Sequence, residues 1–167
     1  MRKATKGDIR GLIALDAFAY GSDGASKEYF LEKFSNTNAT ILIVEEKGLL
    51  SGFAVIETYN NGKVPVGFSS MKTKNLPSKW IFIAAFTTKT NYKDKEEDKK
   101  PIEEIEKHAK KMKCKACFVP LSKDHPYEKH DVFLFWKKQG YQKCGEISWI
   151  SNSKQIIECY LLKKELD

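Results

Sequence analysis

Residues 79–112 read KWIFIAAFTTKTNYKDKEEDKKPIEEIEKHAKKM. The apolar run Trp80–Phe86 predicts a strand that is buried on both faces. The polar and charged residues 87–100 predict a loop, and Pro101 is typical of the first turn of the helix that follows. An anion can bind where such a loop meets a helix, because the first N–H groups of the helix lack internal partners and the helix dipole points there. This stretch therefore predicts an anion site.

The composition predicts one soluble domain spanning residues 1–167. Hydrophobic residues make up 41% of the chain and charged residues 31%, as in ordinary globular proteins. No apolar run approaches the roughly 20 residues of a membrane helix. The N-terminus lacks the apolar stretch of a signal peptide. We therefore expect a cytoplasmic protein that does not enter a membrane.

The net charge of +7 suits an anionic partner, such as nucleic acid, a membrane surface or a phosphorylated cofactor. A solvated, lysine-rich surface is the plainer interpretation. Arg2 and Arg10 are the only arginines among 29 Lys and Arg residues. Because the reading of base edges relies heavily on arginine, specific nucleic-acid recognition is disfavoured, while non-specific binding stays open.

The four cysteines are predicted to be reduced thiols without a metal. Cys114 and Cys117 form a C-x-x-C, but Cys144 and Cys159 lie too far apart to supply the second half of a zinc site. A redox C-x-x-C should open a helix after a strand, whereas this one closes a helix and enters a strand. Buried or incidental cysteines are therefore favoured over both chemistries.

Periodicity and turn residues predict the element order β-α-α-β-β-β-α-β-α-β-β. Thr5-x-x-Asp8 is similar to a capping box at the start of the first helix, and Ser26 is a predicted N-cap of the second. Residues 45–48 predict a hairpin turn, with a possible bulge at Gly52 in the returning strand. Strand, crossover helix and strand between Trp80 and Pro120 predict one parallel pair in an otherwise antiparallel sheet. The last helix is predicted over residues 131–139 with Gly140 as its C-cap, and the closing pair over residues 141–150 and 156–162.

This order resembles that of the GNAT superfamily of acetyl-CoA-dependent N-acetyltransferases. The segment Phe135-Trp-Lys-Lys-Gln-Gly-Tyr141 is similar to the Phe-Tyr-x-x-x-Gly-Phe that ends the last helix of the family. The resemblance covers essentially the whole chain and implies an α+β fold. That fold is a GNAT-like α/β sandwich, in which a mixed, mostly antiparallel sheet holds one splayed parallel strand pair and has helices on both faces. It also implies acetyl-CoA as cosubstrate and direct transfer to a primary amine.

The resemblance places the cofactor along residues 86–99. In the family, backbone groups of the core strand bind the pantetheine arm, and a loop reading Arg/Gln-x-x-Gly-x-Gly/Ala wraps the pyrophosphate. Aligned on Tyr92, this chain has Glu96 and Asp98 at the two glycine positions, which implies a degenerate pyrophosphate loop. Nearby lysines can offset these acids, so a remodelled coenzyme A site and no site both stay open. The implied cofactor-binding residues are Phe86, Thr87, Thr88, Lys93, Asp94, Lys95, Asp98, Lys99 and Trp136.

Two catalytic residues are proposed on the same basis. Trp136 stands where the tyrosine of the family protonates the departing thiolate, and an indole has no useful acidity for that step. Tyr127 is the substitute candidate, with an ordinary loop tyrosine as the alternative. Glu57 is the candidate general base, because it follows Gly-Phe-Ala-Val-Ile on the strand beside the core, near the expected acceptor cleft. In an apolar setting its pKa would rise towards values useful for a base. A solvent-facing strand residue is the alternative for Glu57.

Three functions follow as hypotheses. The first is acetyl transfer from acetyl-CoA to a small-molecule or protein amine. The second is a catalytically impaired GNAT-fold module that binds coenzyme A or another anionic ligand, which the changes at Glu96, Asp98 and Trp136 favour. The third is a basic surface that docks on nucleic acid or ribosomes. No motif identifies the acceptor or decides between a monomer and a homodimer.

Overall fold

The computed structural model describes residues 1–60, 62–65, 76–90, 95–124, 129–150 and 155–167. Within these ranges it contains seven strands and four α-helices in the predicted order. Short 3-10 turns at Lys6–Asp8 and Gly21–Asp23 flank the first helix. The elements are β1 Arg2–Lys3, α1 Ile9–Tyr20, α2 Lys27–Ser35, β2 Ala39–Glu46, β3 Leu49–Asn60, β4 Lys79–Thr88, α3 Lys95–Lys111, β5 Ala116–Ser122, α4 Lys129–Lys138, β6 Gln142–Ile150 and β7 Ile156–Glu165.

The strands hydrogen-bond in the order β1-β2-β3-β4-β5-β7-β6. The pairs β1–β2, β2–β3, β5–β7 and β6–β7 are antiparallel. The pair β4–β5 is parallel, with Trp80 opposite Ala116 and Phe82 opposite Phe118. The predicted fold class, a mixed and mostly antiparallel sheet with one parallel pair, is therefore confirmed. Among the helices in the described ranges, none is long and apolar enough to cross a membrane.

The chain divides into two compact units. Unit 1 comprises Met1–Glu57 and Ala84–Ile105. In unit 1, helices α1 and α2 pack on one face of β2 and β3, and their apolar side chains form a single buried core. That core holds α1 and α2 in place, and with them the polar side chains that they carry towards β3 and β4. Its buried members are Ile9, Leu12, Phe30, Ile41, Ile43, Phe53 and Val55.

Unit 2 comprises Thr58–Ile83 and Glu106–Asp167, and aromatic side chains form much of its interior. The fully buried indole of Trp80 stacks on the ring of Tyr59 at a centroid distance of 5.0 Å. It also meets the ring of Phe118 edge-on at 4.9 Å. Such pairs add about 0.5–1.5 kcal/mol to the effect of burial alone. The apolar start of β4 is thus an anchor of this unit.

The predicted caps and turns are confirmed where the structure describes them. The β2–β3 hairpin turns at Lys47 and Gly48, whose φ angles of 50° and 78° suit a two-residue turn. The hydroxyl of Ser26 caps α2 by accepting the N–H of Tyr29 at 3.2 Å. Helix α4 is followed by Gly140, with a φ of 89°. Each of these features depends on the conformational preference of a single residue or pair, which is why the sequence predicts them well.

The start of α3 was predicted wrongly. The helix begins at Lys95 rather than at Pro101, so the predicted loop over residues 95–100 is helical. Pro101 is buried inside the helix, where it removes one backbone donor from the hydrogen-bond ladder. The preceding sequence KEEDKK offsets this cost, because Lys and Glu are strong helix formers and acids near the N-terminus are stabilised by the helix dipole.

Candidate active site

Glu57, the predicted base, lies in β3 and is 4% exposed. Its Oε1 lies 2.8 Å from Nζ of Lys33 on α2. The solvent-facing alternative is therefore wrong. The carboxylate lies in the interior with a cation beside it, and its role as a base stays a prediction. The sequence could not show this contact, since α2 and β3 meet only through packing.

Lys33 links two acids and an aromatic ring. Its Nζ also lies 2.9 Å from Oε2 of Glu32 and 5.1 Å from the centroid of the Tyr29 ring. Burial by itself lowers the pKa of Lys33. Hydrogen bonds to Glu57 and Glu32 raise this pKa by more than burial lowers it, so the pKa is raised overall. Burial, together with the charges of Glu57 and Asp16, raises the pKa of Tyr29 well above its ordinary value. At neutral pH the cluster thus contains a protonated lysine and a neutral phenol.

Asp16 is a buried carboxylate that is not among the site residues predicted from the sequence. It lies on α1 and is 5% exposed. Its Oδ2 accepts the N–H of Ala25 at 2.6 Å, and its Oδ1 accepts the hydroxyl of Thr87 at 2.8 Å. Burial raises the pKa of Asp16 even though both hydrogen bonds lower it. One feature of the sequence indicated this role, because Asp16 continues the helical stripe of Ile9 and Leu12 that faces the core. A polar residue in such a stripe is buried and needs hydrogen-bond partners.

Gly24 marks how tightly the connection between α1 and α2 lies against α1. A Cβ at Gly24 would lie 3.0 Å from the backbone nitrogen of Ala17 and 3.1 Å from its Cα. We expect Gly24→Ala to lower the free energy of unfolding by about 1–3 kcal/mol, because backbone atoms cannot yield as a flexible side chain can. Urea denaturation measures this difference.

Gly7→Ala is the control for Gly24→Ala. A Cβ at Gly7 would lie 3.5 Å from Oγ1 of Thr5, which is ordinary van der Waals contact. We expect the free energy of unfolding of Gly7→Ala to stay within about 1 kcal/mol of the wild-type value, because that is the usual difference between Ala and Gly in a helical turn. Equal stabilities of the two variants would contradict the close approach at Gly24.

Phe86, Thr87 and Thr88, the predicted pantetheine-binding residues, lie buried in the last part of β4. The parallel ladder with β5 covers Trp80, Ile81 and Phe82, and β4 continues beyond it to Thr88. After Thr88, the N–H of Lys89 donates to the carbonyl of Ser51 at 2.9 Å. In the β2–β3 register Val44 faces Gly52 and Glu45 faces Leu50, which leaves Ser51 as the extra residue of a bulge. The predicted bulge is thus present one residue before Gly52.

Asp98, at one of the glycine positions of the family pattern, lies in the first turn of α3 and is 0% exposed. Its Oδ1 accepts the hydroxyl of Thr90 at 2.5 Å. The pocket beside it measures about 10 Å³, which is room for about one water molecule. A diphosphate does not fit this pocket, because the space is small and a carboxylate lines it. The other lining residues are Val44, Glu46, Ser51, Gly52, Thr88, Lys89, Thr90 and Pro101.

The remaining predicted site residues divide into two groups. Lys93, Asp94 and Tyr127 lie outside the described residues, as do the side chains of Lys95 and Glu96. Lys99 is described, and its Nζ lies 3.3 Å from Oε1 of Glu103 one turn along α3. The phosphate contacts expected of these residues stay predictions.

Trp136 is a core residue of unit 2. It is 1% exposed, and its ring meets the ring of Tyr141 edge-on at 4.9 Å and that of Phe135 at 5.8 Å. The cofactor contact expected of Trp136 stays a prediction. Cys117 is also fully buried in this unit, and burial raises its pKa to about 12. A thiol in this state is protonated and is a poor nucleophile.

The order of the elements, the parallel pair β4–β5 and the crossover helix α3 define a class of protein. The chain has the fold of the GNAT N-acetyltransferases, as the comparison with solved structures shows. The resemblance stated from the sequence is therefore confirmed for the fold. A scan against protein-family models and a search of curated protein sequences found no match.

Three of the similar structures show how complete this likeness is. A probable acetyltransferase from Staphylococcus epidermidis has a TM-score of 0.73 at 13% identity, with 99% of this chain and 98% of that chain covered. NAA60 of Arabidopsis thaliana, solved with acetyl-CoA, has a TM-score of 0.71 at 13% identity, with 99% and 97% covered. The PaiA N-acetyltransferase of Thermoplasma acidophilum, solved with coenzyme A, has a TM-score of 0.65 at 17% identity, with 98% and 96% covered. At these identities the likeness establishes the fold.

Proposed function

We propose that the protein is an N-acetyltransferase that moves the acetyl group of acetyl-CoA directly to a primary amine. The observation that supports this proposal is the fold, which matches N-acetyltransferases over 99% of the chain. Two of the similar proteins were solved with coenzyme A or acetyl-CoA. A small-molecule or protein amine is the proposed acceptor.

Direct transfer requires few groups from the protein. The amine nitrogen attacks the carbonyl carbon of the thioester, the C–S bond breaks, and the sulfur leaves as a thiolate that takes up a proton. The nitrogen loses a proton to a base. Holding the amine and the thioester in one orientation provides much of the acceleration. A covalent acyl-enzyme is not needed, and the protonated thiol of Cys117 agrees with that.

Named residues take these roles in the proposal. The acetyl-pantetheine arm would lie along β4 beyond Phe82, with Phe86 and Thr88 as its backbone partners. Glu57 is the proposed base, because its buried carboxylate can accept a proton from an amine directly or through a water molecule. Tyr127 is the proposed acid for the departing thiolate.

Acetyl-CoA is expected to raise the melting temperature saturably, because a ligand that binds only the folded state stabilises it. Adding amines should then release free thiol. A thermal-shift titration to millimolar acetyl-CoA measures the first effect, and a thiol-reactive dye with a panel of amines measures the second. Reactions without amine correct for the exposed thiol of Cys144. No stabilisation at millimolar acetyl-CoA would contradict the proposal, and stabilisation without thiol release would indicate a binding module instead.

A further inference from the structure

A primary amine of the chain itself lies against the proposed base. The Nζ of Lys33 on α2 is 2.8 Å from Oε1 of Glu57 on β3, which is a hydrogen-bonding distance. A general base has to lie within such reach of the proton that it removes. Lys33 therefore meets the geometric requirement that the proposed reaction places on the nitrogen of an acceptor amine.

This amine lies at the border between the interior and the surface. The side chain of Glu57 is 5% exposed, and that of Glu32, the second carboxylate beside the ammonium, is 57% exposed. The side chain of Lys33 is 14% exposed. The ammonium thus lies between a buried and an exposed carboxylate, at the edge of the interior rather than inside it.

The core of unit 1 connects this amine with the part of β4 along which the acyl donor is proposed to lie. Tyr29, whose ring centroid is 5.1 Å from Nζ of Lys33, packs against this core. Ala84 and Ala85 of β4 pack against the same core. These two alanines follow Phe82, where the parallel ladder between β4 and β5 ends. The amine, the proposed base and the proposed position of the donor are therefore arranged around one core.

We infer that Lys33 is a modification site, at which the protein transfers the acetyl group of acetyl-CoA to its own side chain. This inference rests on the proposed function, because it uses the same donor and the same base. The ammonium of Lys33 gives one proton to Glu57, and the resulting amine attacks the carbonyl carbon of the thioester. The C–S bond breaks, and the thiolate takes up the second proton that the nitrogen loses. The proton on Glu57 passes to water, so the products are Nε-acetyl-lysine, coenzyme A and one proton.

Uncatalysed acetylation would not select Lys33. Burial lowers the pKa of Lys33, but its hydrogen bonds to Glu57 and Glu32 outweigh this effect and raise it. A protonated amine has no free electron pair with which to attack a thioester. Without a base, Lys33 should therefore react more slowly than an exposed lysine such as Lys27. Faster acetylation of Lys33 than of Lys27 would thus report the bound donor and the base rather than chemical reactivity.

The test incubates the whole chain with acetyl-CoA at neutral pH and follows the acetylated fraction of each lysine. Peptide mass spectrometry after digestion with a protease that does not cleave at lysine measures these fractions. We expect Lys33 to be acetylated at least about tenfold faster than Lys27, because a positioned donor and base contribute more than this factor. The rate constant should not depend on protein concentration, since the amine and the donor belong to one complex. Equal rates at the two lysines would overturn the inference, as would a rate constant that rises with protein concentration.

Glu57→Gln tests the base. The variant keeps the size of the side chain and removes the carboxylate that takes the proton, so acetylation of Lys33 should slow by about 100-fold or more. Glu32→Gln is the matched control, because it removes the other carboxylate beside the same ammonium. Its loss should stay below about tenfold, as expected for an exposed ion pair. Equal losses would overturn the inference, and the wild-type comparison of Lys33 with Lys27 decides the question if Glu57→Gln does not fold.

The outcomes separate this inference from the proposed function. If amines of the panel are acetylated and Lys33 is not, the inference fails and the proposed function holds. If Lys33 is acetylated and no added amine is, the inference holds and transfer to a separate acceptor fails. If neither Lys33 nor any added amine is acetylated, both fail.

Discussion

Lys33→Met should lower the free energy of unfolding by about 3 kcal/mol, because it leaves the buried carboxylate of Glu57 without its cation. The attraction across the 2.8 Å contact offsets the cost of removing both charges from water. Without Lys33, the cost of removing the Glu57 carboxylate from water remains, but the attraction to Lys33 is lost. Urea denaturation at neutral pH measures the difference.

Lys27→Met is the control for Lys33→Met. Lys27 lies on the same helix but is exposed, so its replacement should change stability by no more than about 0.5 kcal/mol. The double variant Lys33→Met/Glu57→Gln should recover much of the loss, because no uncompensated charge is left in the interior. A Lys33→Met protein as stable as Lys27→Met would show that the ion pair is not buried in solution.

Asp16→Ala should destabilise the protein by about 2–4 kcal/mol, because one buried and one partly buried donor lose their acceptor. These donors are the N–H of Ala25 and the hydroxyl of Thr87. Asp23→Ala is the control, since Asp23 is an exposed acid in the same connection between α1 and α2. Urea denaturation of the two variants measures the difference, and equal losses would contradict the structural role of Asp16.

Asp16 also predicts a dependence of stability on pH. Burial raises its pKa above the value in the unfolded chain, which is about 4. The folded state therefore holds the proton more tightly, and stability falls as the pH rises from about 4 through the raised pKa. Above that pKa, the contribution of Asp16 to the free energy of unfolding should no longer change with pH.

Asp16→Asn removes this titration. The hydroxyl of Thr87 can rotate to accept from the new amide, so the variant is expected to fold. The free energy of unfolding of the wild type minus that of Asp16→Asn should decrease as the pH rises through this window. Urea denaturation at a series of pH values measures the difference. A flat or rising difference would contradict a raised pKa.

The predicted start of α3 was wrong because two local signals in the sequence favour different structures. Pro101 predicts a helix start because its fixed φ and missing donor suit a first turn. The charged segment before it predicts a loop by composition, yet the same lysines and glutamates are good helix formers. Burial of Ile102 and Ile105 on the same helix, together with the buried Asp98, favours a helix that begins earlier. The composition of the segment does not show which side chains are buried. It therefore could not reveal that packing outweighs the preference of Pro101 for a helix start.

The sequence by itself determined the order of the elements, the buried strand Trp80–Phe86, the turn at Gly48 and the resemblance to the GNAT fold. These depend on periodicity and on single-residue backbone preferences, which are local and can be read in order along the chain. Only the tertiary structure decided what surrounds the charged groups of the site. Lys33 against Glu57, and Asp16 against a threonine 71 positions away, are contacts that packing creates. Charges act over a few ångströms of space, so their effects depend on neighbours that spacing in the sequence does not define.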